Sequence, residues 1–309
     1  MQPRRTFLKT LAASAGAAAV LPATHALGQP MHEPRIACNQ YTWFTYYRRE
    51  SKEWMANPQA SMEAFTAAGL SGYEPTFESV EEVASVHAAM QPNNVWMRSL
   101  YVNSTLHEAA QAEQSIADVM AIAKAAKAHG VRIIVTNPSP IEWGGPYNKS
   151  DAQLRTQARA LESLGAQLRT HGLTLAYHVH DIELRQGARE FHHMLSSTNP
   201  ANVKFCLDTH WIYRGCGNSN VALYDVIRLY GDRVVELHLR QSIDGVWSEV
   251  FGLGDIDHER VAYAVLEAGA RPHLVLEQAV EEGTPHTMSA VEANKRSLDY
   301  LARVFEDYG

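Results

Sequence analysis

The chain has 309 residues, of which 46% are hydrophobic and 20% charged, which is enough apolar material for one large core. This composition excludes a disordered or collagen-like chain, and three cysteines are too few for a disulfide scaffold. No apolar stretch approaches the ~20 residues that span a bilayer, so we expect no integral membrane association.

The charge balance argues against a nucleic-acid partner. The net charge is −7, and the first 28 residues hold three basic residues and no acidic one, which leaves the remainder at −10. A chain this acidic repels a polyanion unless it has a basic groove, and the sequence contains no basic cluster that predicts one. The sequence does not indicate an oligomeric state.

The N-terminus resembles an export signal. A twin arginine, Arg4 and Arg5, precedes a weakly apolar run rich in alanine and glycine, and small residues near Ala26 suit a signal peptidase. We interpret residues 1–28 as a twin-arginine signal that sends the folded protein to the periplasm. These residues are therefore excluded from the fold prediction.

Between residues 35 and 306, short β-rich runs alternate with longer amphipathic segments. The strands are predicted at Ile36–Tyr41, Gly72–Thr76, Trp96–Val102, Val131–Asn137, Thr174–His180, Val203–Asp208, Val234–Leu239 and His273–Gln278. The helices are predicted near 59–69, 79–90, 106–129, 151–171, 184–196, 220–231, 257–268 and 288–306. Glycine occupies several predicted helix ends: Gly69, Gly130, Gly172 and Gly269. Eight alternating units predict a parallel sheet with right-handed crossovers that closes into a single (β/α)8 TIM barrel.

An open doubly wound sheet is the alternative architecture. Such a fold normally carries a glycine-rich phosphate loop after its first strand, whereas residues 38–43 read Cys-Asn-Gln-Tyr-Thr-Trp. The barrel fits the sequence better. Its active site is expected at the C-terminal ends of the strands.

Four consecutive predicted strands, the fifth to the eighth, end in residues that bind divalent metals. In chain order they are His178 and His180, Asp208 and His210, His238, and Glu277. Because side chains alternate along a strand, each of the first two pairs faces one side of the sheet. Any single one of these residues is more often a core histidine or a solvated acid than a ligand, but their coincidence favours a metal site. Nitrogen and oxygen donors without thiolate predict Mn²⁺, Co²⁺ or Zn²⁺, and Mg²⁺ is a poorer match to imidazole.

Six segments, in order, resemble those of the xylose isomerase-like TIM-barrel superfamily, whose members are often described as sugar phosphate isomerases and epimerases. They are Gly72–Glu74, Tyr177–Asp181, Leu207–Trp211, Leu237–Gln241, Gly252–Asp257 and Val275–Gln278. The resemblance covers residues 35–306. It implies a metal-dependent enzyme that acts on a small carbohydrate.

By position, the family's metal ligands fall on Asp208, His238 and Glu277. His178 occupies the place of a glutamate that is usually the fourth ligand, and the sequence leaves open whether His178 or His180 takes that role. In the family's epimerases, that glutamate and the carboxylate of the eighth strand also act as acid and base. His178 is therefore a departure from two-carboxylate epimerisation, although histidine serves as a base near neutral pH.

The remaining candidates would act on the substrate. The acid–base candidates are His180, Glu277 and His210. The candidate substrate-binding residues are Trp211, Tyr41, Glu142 and Arg240, of which the two aromatic residues would stack on a sugar ring. Arg240 stands where the family has lysine, which is a second departure from the family pattern.

The predicted function is metal-dependent isomerisation or epimerisation of an unphosphorylated sugar or keto-sugar. The cation would hold a carbonyl oxygen and the adjacent hydroxyl, while a base removes the proton between them to give an enediolate. No cluster of Arg, Lys and Gly indicates a phosphate site. Two alternatives remain: a lyase or dehydratase that acts by β-elimination on 3-keto-glycosides or polyols, and a non-catalytic periplasmic sugar-binding module.

Overall fold

A computed structural model describes residues 36–308, so the predicted signal, residues 1–28, lies outside the described residues. The described residues form ten strands: β1 (Ile36–Asn39), β2 (Gly72–Glu74), β3 (Ser99–Tyr101), β4 (Ile133–Thr136), β5 (Thr174–Tyr177), β6 (Val203–Asp208), β7 (Val234–Leu239), β8 (Ser242–Ile243), β9 (Val246–Trp247) and β10 (His273–Leu276). Eight of them pair in parallel in the order β2-β1-β10-β7-β6-β5-β4-β3, and β8 and β9 form a separate antiparallel hairpin. This order confirms the predicted single (β/α)8 barrel and excludes the doubly wound sheet.

Strands β2 and β3 close the barrel along a seam. The backbone N–H of Tyr73 donates to the carbonyl oxygen of Trp96 at 2.9 Å, and that of Trp96 donates to Ser71 at 2.8 Å. Higher on the seam, the N–H of Phe77 donates to Tyr101 at 2.9 Å. A side chain at Gly72 would meet the Trp96 ring at 2.4 Å, so glycine is required for this close approach.

Ten α-helices surround the wall among the described residues: α1 (Gln40–Arg49), α2 (Pro58–Ala67), α3 (Val80–Met90), α4 (Ala109–Lys127), α5 (Asp151–Thr170), α6 (Arg185–Ser196), α7 (Thr209–Gly215), α8 (Asn220–Tyr230), α9 (His258–Glu267) and α10 (Ala290–Val304). The longest, α5, starts with a capping box between Ser150 and Gln153. All four predicted helix-ending glycines adopt positive φ, from 68° at Gly172 to 101° at Gly130. None of the described helices is both long and apolar enough to cross a bilayer.

Two helices that the sequence did not predict start directly after strands that adjoin the site. Strand β1 stops at Asn39, because the Asn39 side chain accepts the N–H of Tyr41 at 2.7 Å and starts α1. Strand β6 stops at Asp208, which starts α7 in the same way. The sequence analysis predicted neither helix. Both place a strand-end side chain at a helix N-terminus on the rim of the barrel.

Successive side chains along the strands lie alternately outside and inside the barrel wall. On β7, Leu237 and Leu239 join the large core between sheet and helices, whereas Glu236 and His238 point to the interior. Asp208 of β6 lies opposite His238 in the parallel register, and Asn39 of β1 lies opposite Glu74 of β2. The top interior layer is therefore polar rather than apolar.

Candidate active site

Four strand-end residues converge at the C-terminal end of the barrel. His178 follows β5, Asp208 ends β6, His238 lies on β7 and Glu277 follows β10. All four are buried, and one potential ligand atom from each lies within 4.8 Å of the others. The structure thus brings together the four residues predicted as metal ligands. Their binding of a metal stays a prediction at this point.

The two oxygens of Asp208 have different environments. One oxygen, Oδ1, accepts the backbone N–H groups of His210 at 2.8 Å and Trp211 at 2.7 Å and so caps α7. The other, Oδ2, is buried and has no hydrogen-bond partner among the described residues. It lies 3.7 Å from Nε2 of His178, which also lacks a hydrogen-bond partner there. Two buried polar atoms of ligand type therefore face the centre of the group unsatisfied.

His238 lies between carboxylates on both sides of its ring. Its Nδ1 is 2.8 Å from Oε2 of Glu277, on the side of the ligand group. Its Nε2 is 3.1 Å from Oε2 of Glu74 and 3.2 Å from Oε1 of Glu236, deeper in the barrel. Asn39 donates its side-chain N–H to the same Glu74 oxygen at 2.6 Å. Both ring nitrogens therefore lie within hydrogen-bond distance of carboxylate oxygens, and a cation bound at Nδ1 would take the place of the proton that faces Glu277.

Glu74 and Glu236 are completely buried and differ in protonation. Burial and the negative charge of Glu74 raise the pKa of Glu236 to about 8. Burial opposes ionisation of Glu74 too, but the adjacent His238 lowers the pKa of Glu74 to about 2. At neutral pH the lower pair therefore carries one negative charge, on Glu74.

Arg240 neutralises Glu277 from above. Its Nη2 lies 2.9 Å from Oε1 of Glu277, and its Nε donates to the Glu277 backbone oxygen at 2.8 Å. The guanidinium packs against the rings of Trp211 and Trp247, 5.3 and 4.1 Å from their centroids. Burial opposes ionisation of Glu277, but Arg240 and then His238 lower its pKa to about 2. Glu277 is therefore an ionised carboxylate that Arg240 and His238 hold in place.

A cavity of about 420 Å³ opens above this group, within the size range of small-molecule sites. It is lined by Asn39, Tyr41, Thr76, Tyr101, Asn103, Trp143, His178, His180, Asp181, Trp211, Arg240 and Glu277. Five predicted catalytic or substrate-binding residues therefore reach it, namely His180, Glu277, Trp211, Tyr41 and Arg240.

His180 lies half-buried in the cavity wall. Its ring contacts Trp143 edge-to-face at 5.1 Å and Trp211 at 5.2 Å between centroids. Its Nδ1 has no hydrogen-bond partner among the described residues. Glu183 accepts the backbone N–H of His180 at 2.7 Å, so it holds this stretch of chain rather than the ring. Burial and the neighbouring His178 lower the pKa of His180 well below its ordinary value.

Two predicted site residues lie elsewhere. His210 is fully buried, does not line the cavity, and packs against Tyr213 and Trp247. The prediction placed residues 208 and 210 on one strand face, but α7 starts at Thr209 and turns the chain by about 100° per residue. Glu142 is exposed and also does not line the cavity. The chain turns at residues 142–145, and the next residue, Trp143, therefore lines the cavity in place of Glu142.

Sequence analysis did not identify Tyr101 or Glu236 as site residues. Glu236 stands two residues before His238 on the same strand, so the alternation of side chains could have found it. Tyr101 ends β3, where it contacts His178, but one tyrosine at a strand end carries no distinctive signal. The Gly252–Asp257 segment is structural, since Asp255 accepts the Ser242 hydroxyl at 2.7 Å.

Comparison with known proteins identifies relatives of this barrel. Residues 61–304 match the family model described as the xylose isomerase-like TIM barrel. No curated protein sequence matches the chain. Among solved structures, a sugar phosphate isomerase/epimerase from Parabacteroides distasonis has a TM-score of 0.68 at 15% identity and covers 91% of this chain and 98% of its own.

Two further structures are similar. A xylose isomerase-like TIM barrel protein from Mycobacterium smegmatis, in complex with magnesium, has a TM-score of 0.66 at 13% identity, covering 90% of this chain and 98% of its own. A 3-keto-D-glucoside 4-epimerase from E. coli has a TM-score of 0.62 at 14% identity, covering 87% and 99%. These likenesses show the fold. The family model spans most of the described barrel, and the chain belongs to the xylose isomerase-like TIM-barrel family.

Proposed function

We propose that the protein is a metal-dependent isomerase or epimerase of an unphosphorylated sugar or keto-sugar. The observation that carries this proposal is the convergence of His178, Asp208, His238 and Glu277 below a cavity of substrate size. The names of similar structures, which include a sugar phosphate isomerase/epimerase and a 3-keto-D-glucoside 4-epimerase, support the same class of reaction.

The residues fit a divalent cation. Nε2 of His178 and Oδ2 of Asp208 are buried without hydrogen-bond partners among residues 36–308, and a cation would satisfy both. Nδ1 of His238 and Oε2 of Glu277, 2.8 Å apart, complete a set of two nitrogens and two oxygens. This donor set favours Mn²⁺, Co²⁺ or Zn²⁺. Mg²⁺ belongs in the test because the similar Mycobacterium smegmatis structure contains it.

A cation held there would supply Lewis-acid polarisation of a substrate oxygen. The protein's own contribution is the proton transfer, and His180 suits the base. Its lowered pKa keeps the ring a neutral imidazole at pH 7, and a neutral imidazole that lines the cavity can accept a proton. Glu277 suits the role of ligand better, because its carboxylate is already paired with Arg240 and His238.

Arg240 suits the stabilisation of negative charge on the substrate. It is fully buried and lines the cavity, and its Nη1 has no hydrogen-bond partner among the described residues. A guanidinium held against two tryptophan rings needs little reorganisation when charge develops on a nearby oxygen.

The cavity suits an uncharged sugar. Arg240 is the one arginine or lysine among its described lining residues, and Glu277 already neutralises it, so nothing in the lining attracts a phosphate group. Tyr41, Trp143 and Trp211 offer aromatic faces of the kind that stack on sugar rings. Periplasmic location by the twin-arginine segment is part of the proposal and agrees with an unphosphorylated substrate.

The test combines metal analysis with proton exchange. Untagged protein is incubated with Mn²⁺, Co²⁺, Zn²⁺ or Mg²⁺, desalted and measured for bound metal, and keto-sugars are then screened for exchange in D₂O. We expect about one equivalent of metal and exchange at a carbon beside a carbonyl. Asp208→Asn should lose both. Asp257→Asn, which changes the N-cap aspartate of α9 outside the site, should lose neither.

The products then decide the reaction. An epimer or isomer supports the proposal, and a product of β-elimination contradicts it in favour of a lyase. Absence of both metal and exchange also contradicts it, and leaves the sugar-binding module.

A further inference from the structure

Tyr101 stands directly beside His178 at the end of β3. Its hydroxyl oxygen lies 3.2 Å from Nδ1 of His178, and its ring meets the imidazole edge-to-face with centroids 5.3 Å apart. The same ring lies 6.5 Å from that of His238. Tyr101 is half-buried and lines the cavity. It therefore touches both the ligand group and the space for substrate.

The hydrogen bond between Tyr101 and His178 has two possible directions, which differ in the nitrogen of His178 that carries the proton. Nε2 points toward Oδ2 of Asp208 and must offer a lone pair if it is to bind a cation. The ring proton then resides on Nδ1 and is donated to the tyrosine oxygen. In the opposite arrangement the hydroxyl donates to Nδ1 and the proton moves to Nε2, which blocks the ligand position.

This arrangement leaves the hydroxyl hydrogen of Tyr101 unused. Within residues 36–308, the hydrogen-bond partner of this hydroxyl is Nδ1 of His178, and when the ring proton is on Nδ1 the hydroxyl is the acceptor. A tyrosine hydroxyl keeps its hydrogen on the oxygen at neutral pH. A phenol that accepts from the histidine can donate only to something in the cavity.

We propose that Tyr101 has two linked roles: it positions His178 with Nε2 free for a cation, and it donates its hydroxyl hydrogen to a carbonyl or hydroxyl oxygen of the substrate. This inference rests on the proposed function. It adds a specificity-determining contact, because a substrate without an acceptor oxygen at that point leaves a half-buried hydroxyl unsatisfied. It also makes metal binding and substrate binding depend on one oxygen atom.

The variant Tyr101→Phe removes that oxygen and keeps the ring. Tyr177→Phe is the matched control, because Tyr177 is buried at the end of β5 and its hydroxyl has no hydrogen-bond partner among the described residues. Zn²⁺ alone is titrated against a chelating dye, and the visible spectrum of the Co²⁺ protein reports ligand geometry. We expect Tyr101→Phe to weaken Zn²⁺ binding about 10-fold or more and to shift the Co²⁺ bands. We also expect a raised KM for the keto-sugar that exchanges with the wild type.

A measurement on the unmodified protein gives an independent check. In ¹⁵N-histidine-labelled protein loaded with Zn²⁺, the Nδ1 of His178 should have the chemical shift of a protonated nitrogen, whereas an unprotonated Nδ1 overturns the proposal. Equal Zn²⁺ affinity or an unchanged KM in Tyr101→Phe also overturns it. Wild-type protein that binds no metal contradicts the proposed function itself, so the two failures are distinguishable.

Discussion

The two histidines of the candidate metal site have opposite surroundings. His238 is enclosed by three carboxylates, of which Glu74 and Glu236 lie on its deep side. His178 has a neutral phenol, Tyr101, on its outer nitrogen, and it borders the cavity. The His238 side is therefore a sealed, charged support, whereas the His178 side faces the cavity and is the open side.

If the open side performs the proton transfer, changing His180 has the largest effect. His180→Gln keeps a polar side chain but removes the base, and we expect the exchange rate to fall about 10²- to 10⁴-fold. Metal content should stay at the wild-type level. Because the pKa of His180 lies well below its ordinary value, the wild-type rate should stay level near neutral pH and fall only in more acid solution, where the ring becomes protonated. Loss of metal together with activity would place His180 among the ligands instead.

Changes on the sealed side should weaken metal binding. They should also distinguish the contributions of its two carboxylates, Glu74 and Glu236. Glu74→Gln removes the negative charge behind His238, and we expect metal binding to weaken about 10-fold at pH 7. Glu236→Gln replaces a group that is already protonated, since its pKa is about 8, and should leave the affinity near that of the wild type. Chelator competition at pH 7 measures both. Equal losses in the two variants would mean that the charge is shared between them.

A third buried histidine, His258, shows by contrast how neighbouring carboxylates affect the protonation of a buried imidazole. The ring nitrogens of His258 lie 3.3 Å from the Thr209 hydroxyl and 3.4 Å from the Gln241 amide, and burial lowers its pKa to about 3. The unfolded chain takes up a proton here near pH 6.5 and the folded one does not, so the stability of the fold is complete above pH 6.5 and decreases as the pH falls toward 3. In urea unfolding of metal-free protein, His258→Asn should lose about 2 kcal/mol less than the wild type between pH 7 and 5. The exposed His286, changed to Asn, is the control. An unchanged slope in His258→Asn would contradict the assignment.

Periodicity predicted the barrel and placed six ligand-type residues at strand ends, and the resemblance to the family selected from them the four that converge. Apolar runs of strand length followed by a ligand-type residue place that residue at the carboxyl end of a parallel strand. Site positions that depend on the local direction of the chain were not predicted correctly. His210 was misplaced because a helix starts directly after Asp208, and Glu142 was chosen over Trp143 because the turn at 142–145 has no strong sequence signal. Tyr101 could not be predicted, since its meaning depends on a contact with a distant strand.

The geometry of the site depends on the seam between β2 and β3. Glu74 ends one strand of the seam and Tyr101 ends the other, so the supports of the two histidines stand on opposite sides of it. Local opening of a few backbone hydrogen bonds is the lowest-energy fluctuation available to such an edge. Each opening would release both imidazoles together. Slow amide exchange at Tyr73 and Phe77 should therefore report the integrity of the metal site as well as that of the barrel wall.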